Sequence, residues 1–172
     1  VPGHTALGQQ IARGRALFGA ANCATCHGGA GWASSRVNLL GGVSGLTVAL
    51  DEGIAVAQDA LFDVGTFNVN LANEIKQNGT TAAGALGFNP PSLLGAFGLA
   101  PYLHNGSKKT IDAVMNLKKH RTAGLPHGAP DPFVNEAKRK DITAFVESID
   151  TRTVPFSIPA AAAKAPAPVA AP

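Results

Sequence analysis

The sequence predicts a single domain of mainly α-helical, loop-rich class. Its 172 residues suit one ordinary domain with room for loops and tails. Hydrophobic residues make up 45% of the chain and charged residues 15%, so the chain can bury a core and does not have the composition of a disordered protein. The 20 glycines and 12 prolines interrupt regular structure, and a fold so rich in loops needs an additional brace, such as a large buried cofactor.

The first predicted helix covers residues 9–18 and follows an irregular lead-in at residues 1–7. Its apolar side chains recur with helical spacing and form one stripe, which consists of Ile11, Ala12, Leu17 and Phe18. Residues 28–87 are predicted to be mostly loop, because glycines and small residues come first and no clear periodicity follows. One candidate short strand in this stretch contains Val37, Leu39 and Leu40.

Two further helices are predicted in the second half of the chain. A pair of prolines precedes residues 92–97, which favour a single helical turn. A clearer helix begins near Ser107 or Thr110, whose side chains can cap its first amides, and ends near Lys119. The last helix, at residues 134–149, has one apolar and one charged face, so it should pack against the first helix.

The composition at the two ends limits the domain to residues 8–155. Residues 156–172 are almost entirely alanine and proline beyond Phe156, which buries too little surface to offset the entropy of ordering, so this tail is expected to be disordered or bound to a partner. No apolar run approaches the ~20 residues that a membrane span needs. The start lacks the pattern of a secretory signal, so we expect a leader that was removed or a chain cut from a longer one.

Cys23, Cys26 and His27 form the strongest motif, Cys-Ala-Thr-Cys-His. Two residues between the cysteines suit two thioether bonds to the vinyl groups of a haem, and the adjacent histidine then lies beneath the iron as its proximal ligand. The motif therefore predicts one covalent haem c. Its macrocycle would give the loops an apolar body to pack against.

A disulfide, half of a zinc site and a redox-active dithiol are the competing interpretations of this cysteine pair. A zinc site needs two more soft ligands, and the chain has no other cysteine. A thioredoxin-like dithiol needs a strand–helix–strand context, which the glycine-rich sequence after His27 does not provide. Haem attachment is therefore the favoured interpretation.

Five further segments occur in a fixed order over about residues 8 to 150. They are GRALF at 14–18, CHGG at 26–29 with Trp32 after it, DVGT at 63–66, PSLL at 91–94 and APYLHNGS at 100–107. This order resembles the C-terminal haem domain of the bacterial di-haem cytochrome c peroxidase and MauG family. The resemblance implies a class I cytochrome c-like helical domain enclosing one covalent haem c, in the periplasm or otherwise outside the cytoplasm.

The resemblance also implies a function. In that family the C-terminal domain is the electron-transferring half, and peroxide is activated at a second haem in the preceding domain. Since this chain has one haem motif, we expect a mono-haem c-type cytochrome that transfers single electrons to or from a redox partner. The alternative is the electron-relay domain of a peroxidase-like or haem-oxidase enzyme whose catalytic part lies on another domain or subunit. A self-contained catalyst is disfavoured, and no hydrolytic triad or phosphate loop stands out.

Four residues outside the motif are expected to contact the haem on the strength of the resemblance. They are Trp32, Pro91, Tyr102 and His104, with His104 beside the haem propionates and not on the iron.

The distal iron ligand is where the chain departs from its relatives. They place methionine, tyrosine or histidine at the position of Lys118, which would ligate only if burial removed its proton. Met115, the single methionine, would give a higher potential, but it equally suits a core position. His120 requires the helix to end or the alignment with relatives to shift by two residues, and is otherwise a solvated helix-end histidine. We prefer His120 slightly over Met115, and expect His4 and His127 to be exposed.

Positive charge is concentrated in the second half of the chain. Residues 1–100 carry a net charge of −1 and residues 101–172 a net charge of +4. The cations flanking the expected haem predict a basic collar that attracts an acidic redox partner, unless they form an ordinary solvated helix face. These cations are Lys108, Lys109, Lys118, Lys119 and Arg121. Other expected partners are the rest of a longer chain or a larger complex; nucleic-acid binding is disfavoured, because the charge excess is modest and aromatics are few.

Overall fold

The computed structural model describes residues 5–34, 47–49, 55–57, 62–68 and 87–159. The mainly helical, loop-rich prediction is confirmed in these ranges. No helix among the described residues is long and apolar enough to cross a membrane. The elements are α1 (Ala6–Ala20), α2 (Ala24–His27), β1 (Thr47–Ala49), β2 (Ala55–Ala57), a 3₁₀ turn (Ala96–Gly98), α3 (Ile111–Met115), α4 (Lys118–Arg121) and α5 (Glu136–Glu147).

Helix α1 begins earlier and ends later than the predicted residues 9–18. Thr5 caps it, since its Oγ1 accepts a hydrogen bond from the Gly8 N–H at 3.0 Å. The cap satisfies an amide that would otherwise have no partner in the first turn, so the helix begins at once after it. At the other end Phe18 is buried and starts the aromatic core of the domain.

Helix α5 is shorter than the predicted 134–149 and lies against α1, as predicted. Asn135 is its cap, with Oδ1 accepting from the Ala137 N–H at 2.7 Å. Val134 therefore stays outside the helix and is 73% exposed, whereas Phe133 beside it is fully buried. The periodic pattern located the buried face, and the capping residue set the boundary.

The two long helices cross at Gly14. A Cβ at this position would overlap the backbone carbonyl of Asp141 and approach the Cβ of Phe145 to 2.7 Å. The adjacent Arg13 binds the Asp141 carboxylate through two hydrogen bonds of 2.8 and 2.9 Å. The absence of a side chain thus permits the close approach, and a bidentate ion pair holds it.

Substituting Gly14→Ala should destabilise the holo protein by about 1–3 kcal/mol, because the added methyl group forces the two helices apart. This loss exceeds the gain of about 0.5–1 kcal/mol that alanine brings to a helix interior. Chemical denaturation measures the difference. Gly98→Ala is the matched control, since nothing lies within 4 Å of a Cβ built there. Equal stability of the two variants would contradict the proposed crossing.

The helix predicted from Ser107 or Thr110 to Lys119 is broken into α3 and α4. Thr110 caps α3 as expected, with Oγ1 accepting from the Ala113 N–H at 3.0 Å. The chain then bends, and Leu117 takes an extended conformation before α4. The free carbonyls at the end of α3 accept hydrogen bonds from the side chain of Arg121. Hydrogen bonds from a side chain five to six residues further along the chain therefore accompany the end of this helix. The spacing of apolar residues gives no sign of them.

The described residues in the middle of the chain include a pair of strands that the loop prediction omitted. Strands β1 and β2 pair antiparallel, with Thr47 opposite Ala57 and Ala49 opposite Ala55. The candidate strand at residues 37–40 lies outside the described residues. Further on, Phe62 and Phe88 exchange backbone hydrogen bonds of 2.9 and 3.0 Å, which attaches residues 62–68 to the segment that follows residue 87.

The packed core extends slightly past the predicted boundary at residue 155. Phe156 stacks on Phe18 with ring centroids 5.4 Å apart, and its carbonyl accepts a hydrogen bond from the Gly29 N–H at 2.8 Å. The start of the predicted tail is therefore part of the described core. The Ala/Pro-rich residues 160–172 lie outside the described part of the chain.

Candidate haem-binding site

The cysteine motif directly follows α1 and forms the short helix α2. Cys23 caps this helix and Cys26 and His27 lie in its single turn, so all three side chains are fixed by one local element. The two thiols are half-buried and are not joined in a disulfide. Burial raises the pKa of Cys23 to about 12, and the neighbouring Cys26 adds to the shift. A thiol held protonated in this way does not favour the dithiol or zinc interpretations, which need a thiolate.

His27 is oriented by the segment that contains Pro91. Its Nδ1 lies 3.1 Å from the Pro91 carbonyl oxygen, which can only accept, so Nδ1 carries the proton. The lone pair is then on Nε2, the arrangement found in metal-binding histidines. Burial lowers the pKa of His27 to about 4, with His120 adding to the shift and the Pro91 carbonyl opposing it. The ring is therefore neutral at neutral pH.

A cavity of about 470 Å³ opens beside this motif. Its volume lies within the range of cofactor and ligand sites, and its walls are mainly apolar. It is bounded by the end of α1, the motif, residues 62–66, the segment after residue 87, and helices α3 to α5. The predicted site residues that line it are Cys23, Cys26, His27, Pro91, Tyr102, His104, Met115 and His120.

Trp32 is the one predicted contact residue that does not line the cavity. It is 1% exposed and packs edge-on against Phe18 and Phe145, with ring centroids 5.8 and 5.9 Å apart. A direct contact of Trp32 with a haem therefore stays a prediction. Trp32 lies behind the cavity wall and supports Phe18, which does line the cavity.

His120 lies across the cavity from His27. The centroids of the two imidazole rings are 6.3 Å apart. Burial lowers the pKa of His120, so this ring is also favoured in its neutral form. Its Nδ1 is enclosed and has no hydrogen-bond partner among the described residues. An enclosed polar atom of this kind costs about 1–3 kcal/mol unless something contacts it.

The other two distal candidates differ in position. Met115 is buried, belongs to the hydrophobic core and also lines the cavity. Lys118 is exposed and does not line it. The bend between α3 and α4 brings His120 to the cavity and leaves Lys118 outside it. The helix that begins at Ile111 ends before His120, which is the condition under which His120 was expected to be able to ligate.

Two further predicted site residues, Tyr102 and His104, also line the cavity. His104 stacks on Phe88 with ring centroids 3.8 Å apart, and its Nδ1 lies 3.4 Å from Thr66 Oγ1. The Tyr102 hydroxyl donates to the Ala96 carbonyl oxygen at 2.8 Å, which ties this wall to the 3₁₀ turn. Both side chains are thus held in place by contacts within the chain.

Comparisons with known proteins point to one kind of domain. The cytochrome c family model matches residues 11–59, which include the cysteine motif. Cytochrome c peroxidase Ccp of Escherichia coli (strain K12) is 29% identical over 153 residues, which cover 88% of this chain and 27% of the relative. No solved structure matches. The chain is therefore similar to cytochrome c domains and, over most of its length, to a cytochrome c peroxidase.

A cytochrome c domain implies two general properties, a covalently bound haem c with iron and a role in electron transfer. The fold is the class I cytochrome c-like helical fold that the sequence predicts. The domain spans about a quarter of the length of the peroxidase that it matches.

The residues of this site fit a haem iron. Metal–imidazole bonds are about 2 Å long, so an ion held between two imidazoles keeps their centroids roughly 6 Å apart, in agreement with the separation of His27 and His120. The enclosed Nδ1 of His120 leaves a polar group of that ring to be satisfied by something other than the described side chains. An apolar cavity next to two cysteines that form no disulfide suits a macrocycle attached at its edge.

The sequence analysis assigned no role at the cavity to three residues of its wall, Thr66, Phe88 and Arg121. Phe88 and Thr66 contact His104, and Arg121 lies beside His120. Thr66 belongs to a segment of the family resemblance, which was the available signal. No local pattern marks Phe88 or Arg121, because each acts through residues distant in sequence.

The expected basic collar is smaller than the sequence suggested. Lys119 binds Asp63 at 2.6 Å, and Arg121 binds Asp131 at 2.6 Å. These two cations are therefore neutralised within the chain. The remaining three members are Lys108, Lys109 and Lys118.

Proposed function

We propose that this domain is a mono-haem electron carrier, with the iron held by His27 on one side and by His120 on the other. The observation that carries the proposal is the separation of 6.3 Å between the two imidazole rings across the cavity. When bound, the haem supplies one-electron redox chemistry. Two histidine ligands would leave the iron no open position, which favours electron transfer over the activation of a substrate there.

The surrounding residues have definite tasks under this proposal. Cys23 and Cys26 attach the macrocycle at its edge, and the Pro91 carbonyl fixes the tautomer and orientation of His27. The apolar side chains of α3 and α5 exclude water from the cavity, which limits rearrangement when the charge changes by one. These side chains are Ile111, Val114, Ile142 and Val146.

A second candidate function is the electron-relay part of a peroxidase-like or haem-oxidase enzyme. The comparison that favours it is the peroxidase relative, of which this chain covers only 27%. In that case the catalytic part lies on another domain or subunit. The site residues then have the same tasks, and the electron passes to a fixed neighbour and not to a diffusing partner.

Optical and electron paramagnetic resonance spectra of the purified holo domain test the proposal, together with a peroxide turnover assay. We expect a low-spin spectrum typical of two nitrogen ligands, reversible one-electron reduction, and no peroxide turnover by the domain alone. A high-spin spectrum with rapid peroxide turnover would contradict the carrier function. Restored turnover on addition of a separate catalytic domain would favour the relay.

The proposed partner is an acidic redox protein that meets the cavity edge. Phe97 and Leu99 are 69% and 61% exposed, and Leu99 also lines the cavity, so an apolar patch reaches the surface at this point. Lys109 lies at the surface in the segment just before α3. An apolar patch with nearby cations suits short-lived docking steered by charge. The proposed location is the periplasm or another extracytoplasmic space, since cytochrome c domains are exported.

Substituting Lys109→Glu should slow oxidation of the reduced domain by ferricyanide roughly 2- to 5-fold at low ionic strength, because reversing this charge weakens the attraction of an anion to the haem edge. Stopped-flow absorption measures the rate, and added salt should remove the difference. Lys138→Glu makes the same charge change on α5, away from the cavity lining, and is the control. Equal slowing in both variants would rule out local steering.

A further inference from the structure

Arg121 and Asp131 form the most buried ion pair among the described residues. Their side chains are 11% and 5% exposed. Arg121 directly follows His120 in α4. We propose that Arg121, held by Asp131, is a positioning residue that keeps His120 at the haem iron; this inference rests on the proposed function, in which His120 is the distal ligand.

The guanidinium of Arg121 joins three separate pieces of chain. Its Nε and Nη2 donate to one carboxylate oxygen of Asp131 at 2.9 and 2.6 Å. Its Nη1 donates to the carbonyl oxygens of Met115 and Asn116 at 3.1 and 3.2 Å, at the end of α3. The second carboxylate oxygen of Asp131 accepts from the Phe133 N–H at 2.8 Å. One side chain thus fixes α3, α4 and the segment before α5 relative to one another.

Helix α4 depends on such an anchor because it has little stability of its own. It is a single turn of four residues, and an isolated turn of this length does not persist in water. It contributes no side chain to the hydrophobic core, and Leu117 provides no side-chain cap. The Thr122 hydroxyl donates to the Lys118 carbonyl at 2.8 Å, which closes the turn without attaching it to the core. Two ion pairs attach α4 to the rest of the domain, the exposed pair of Lys119 with Asp63 and the buried pair of Arg121 with Asp131. The buried pair is the one that also holds the end of α3.

An arginine is required for this task. Its planar fork reaches the carboxylate and two carbonyls at once, whereas a lysine offers one compact ammonium group that cannot span all three acceptors. Removing either partner leaves an uncompensated buried charge, which the segment relieves by moving toward water. Since His120 and Arg121 are consecutive, that movement takes the imidazole away from the iron.

The test compares holo variants by spin state and by the binding of cyanide, which needs an open axial position. In Arg121→Gln and Asp131→Asn we expect a high-spin fraction and an apparent cyanide affinity raised roughly 10-fold, because affinity scales with the fraction of molecules whose distal position is open. Arg121→Lys should give an intermediate result. If Arg121→Gln does not fold, the lysine and asparagine variants decide the matter.

Arg13→Gln is the matched control, since it also removes a bidentate arginine–aspartate pair but one that joins α1 to α5. It should lower thermal stability without changing the spin state or cyanide binding. The proposal would be overturned if this control showed the same cyanide effect, or if all three variants of Arg121 and Asp131 behaved like the wild type. Either result would leave ligation by the two histidines intact. A wild-type spectrum without two nitrogen ligands would overturn the proposed function and this inference together.

Discussion

Replacing His120 with alanine should convert the spectrum of the holo domain from low-spin to high-spin. The imidazole ring of His120 is the group that faces His27, with the two ring centroids 6.3 Å apart. Without that ring the distal position should admit water or added ligands. Absorption and electron paramagnetic resonance spectra measure the change, and added imidazole should restore the low-spin form.

Met115→Leu is the control for this result. The two side chains have similar volume, so the exchange in the core should cost about 1 kcal/mol or less and leave the spectrum unchanged. The prediction would be wrong if the oxidised wild-type protein showed the weak band near the red edge that marks methionine ligation, and if Met115→Leu abolished it.

Replacing both Cys23 and Cys26 with serine should abolish covalent haem attachment. Acidified organic solvent should then extract all the haem, and the denatured chain should show no haem-bearing peptide. The domain should also lose roughly 3 kcal/mol or more of stability, because a cofactor that can dissociate stabilises the fold only by mass action, so its contribution falls as its free concentration falls. For a domain of this size that is roughly 6–12 °C in Tm.

Thr25→Ala is the matched control for the cysteine variant. It changes a residue between the two cysteines, preserves their spacing and should retain covalent haem in full. Haem that stayed attached to the denatured chain of the double-serine variant would show that the link is made elsewhere. Single cysteine variants should retain one thioether bond and a smaller share of the stability.

The sequence predicted the two packed helices well because their signals are local. The apolar stripe that ends at Phe18 and the periodic face of the last helix both follow from residues three or four apart. Their exact ends were less accessible, since Thr5 and Asn135 determine them through single hydrogen bonds. The signal for Cys23, Cys26 and His27 is equally local, because the motif that contains them consists of five consecutive residues.

The distal side of the site was harder to predict because it depends on long-range contacts. The helix through Met115 looks continuous in sequence. Its break is accompanied by the contacts of Arg121 with the carbonyls at the end of α3 and with Asp131, ten residues further along. That break decides which of Lys118 and His120 reaches the cavity. The packing of Trp32 was hard to predict for a similar reason, since its closeness to the motif in sequence does not indicate on which side of Phe18 it packs.

The hydrogen bond between His27 and the Pro91 carbonyl spans 64 positions of the chain, and this separates two stages of maturation. Thioether formation needs only the five-residue motif, so the enzymes that attach haem can act on a nascent or unfolded chain. The final orientation of the imidazole must wait until the segment around residue 91 has docked. An assembly intermediate should therefore carry its haem covalently before its axial ligands acquire their mature geometry.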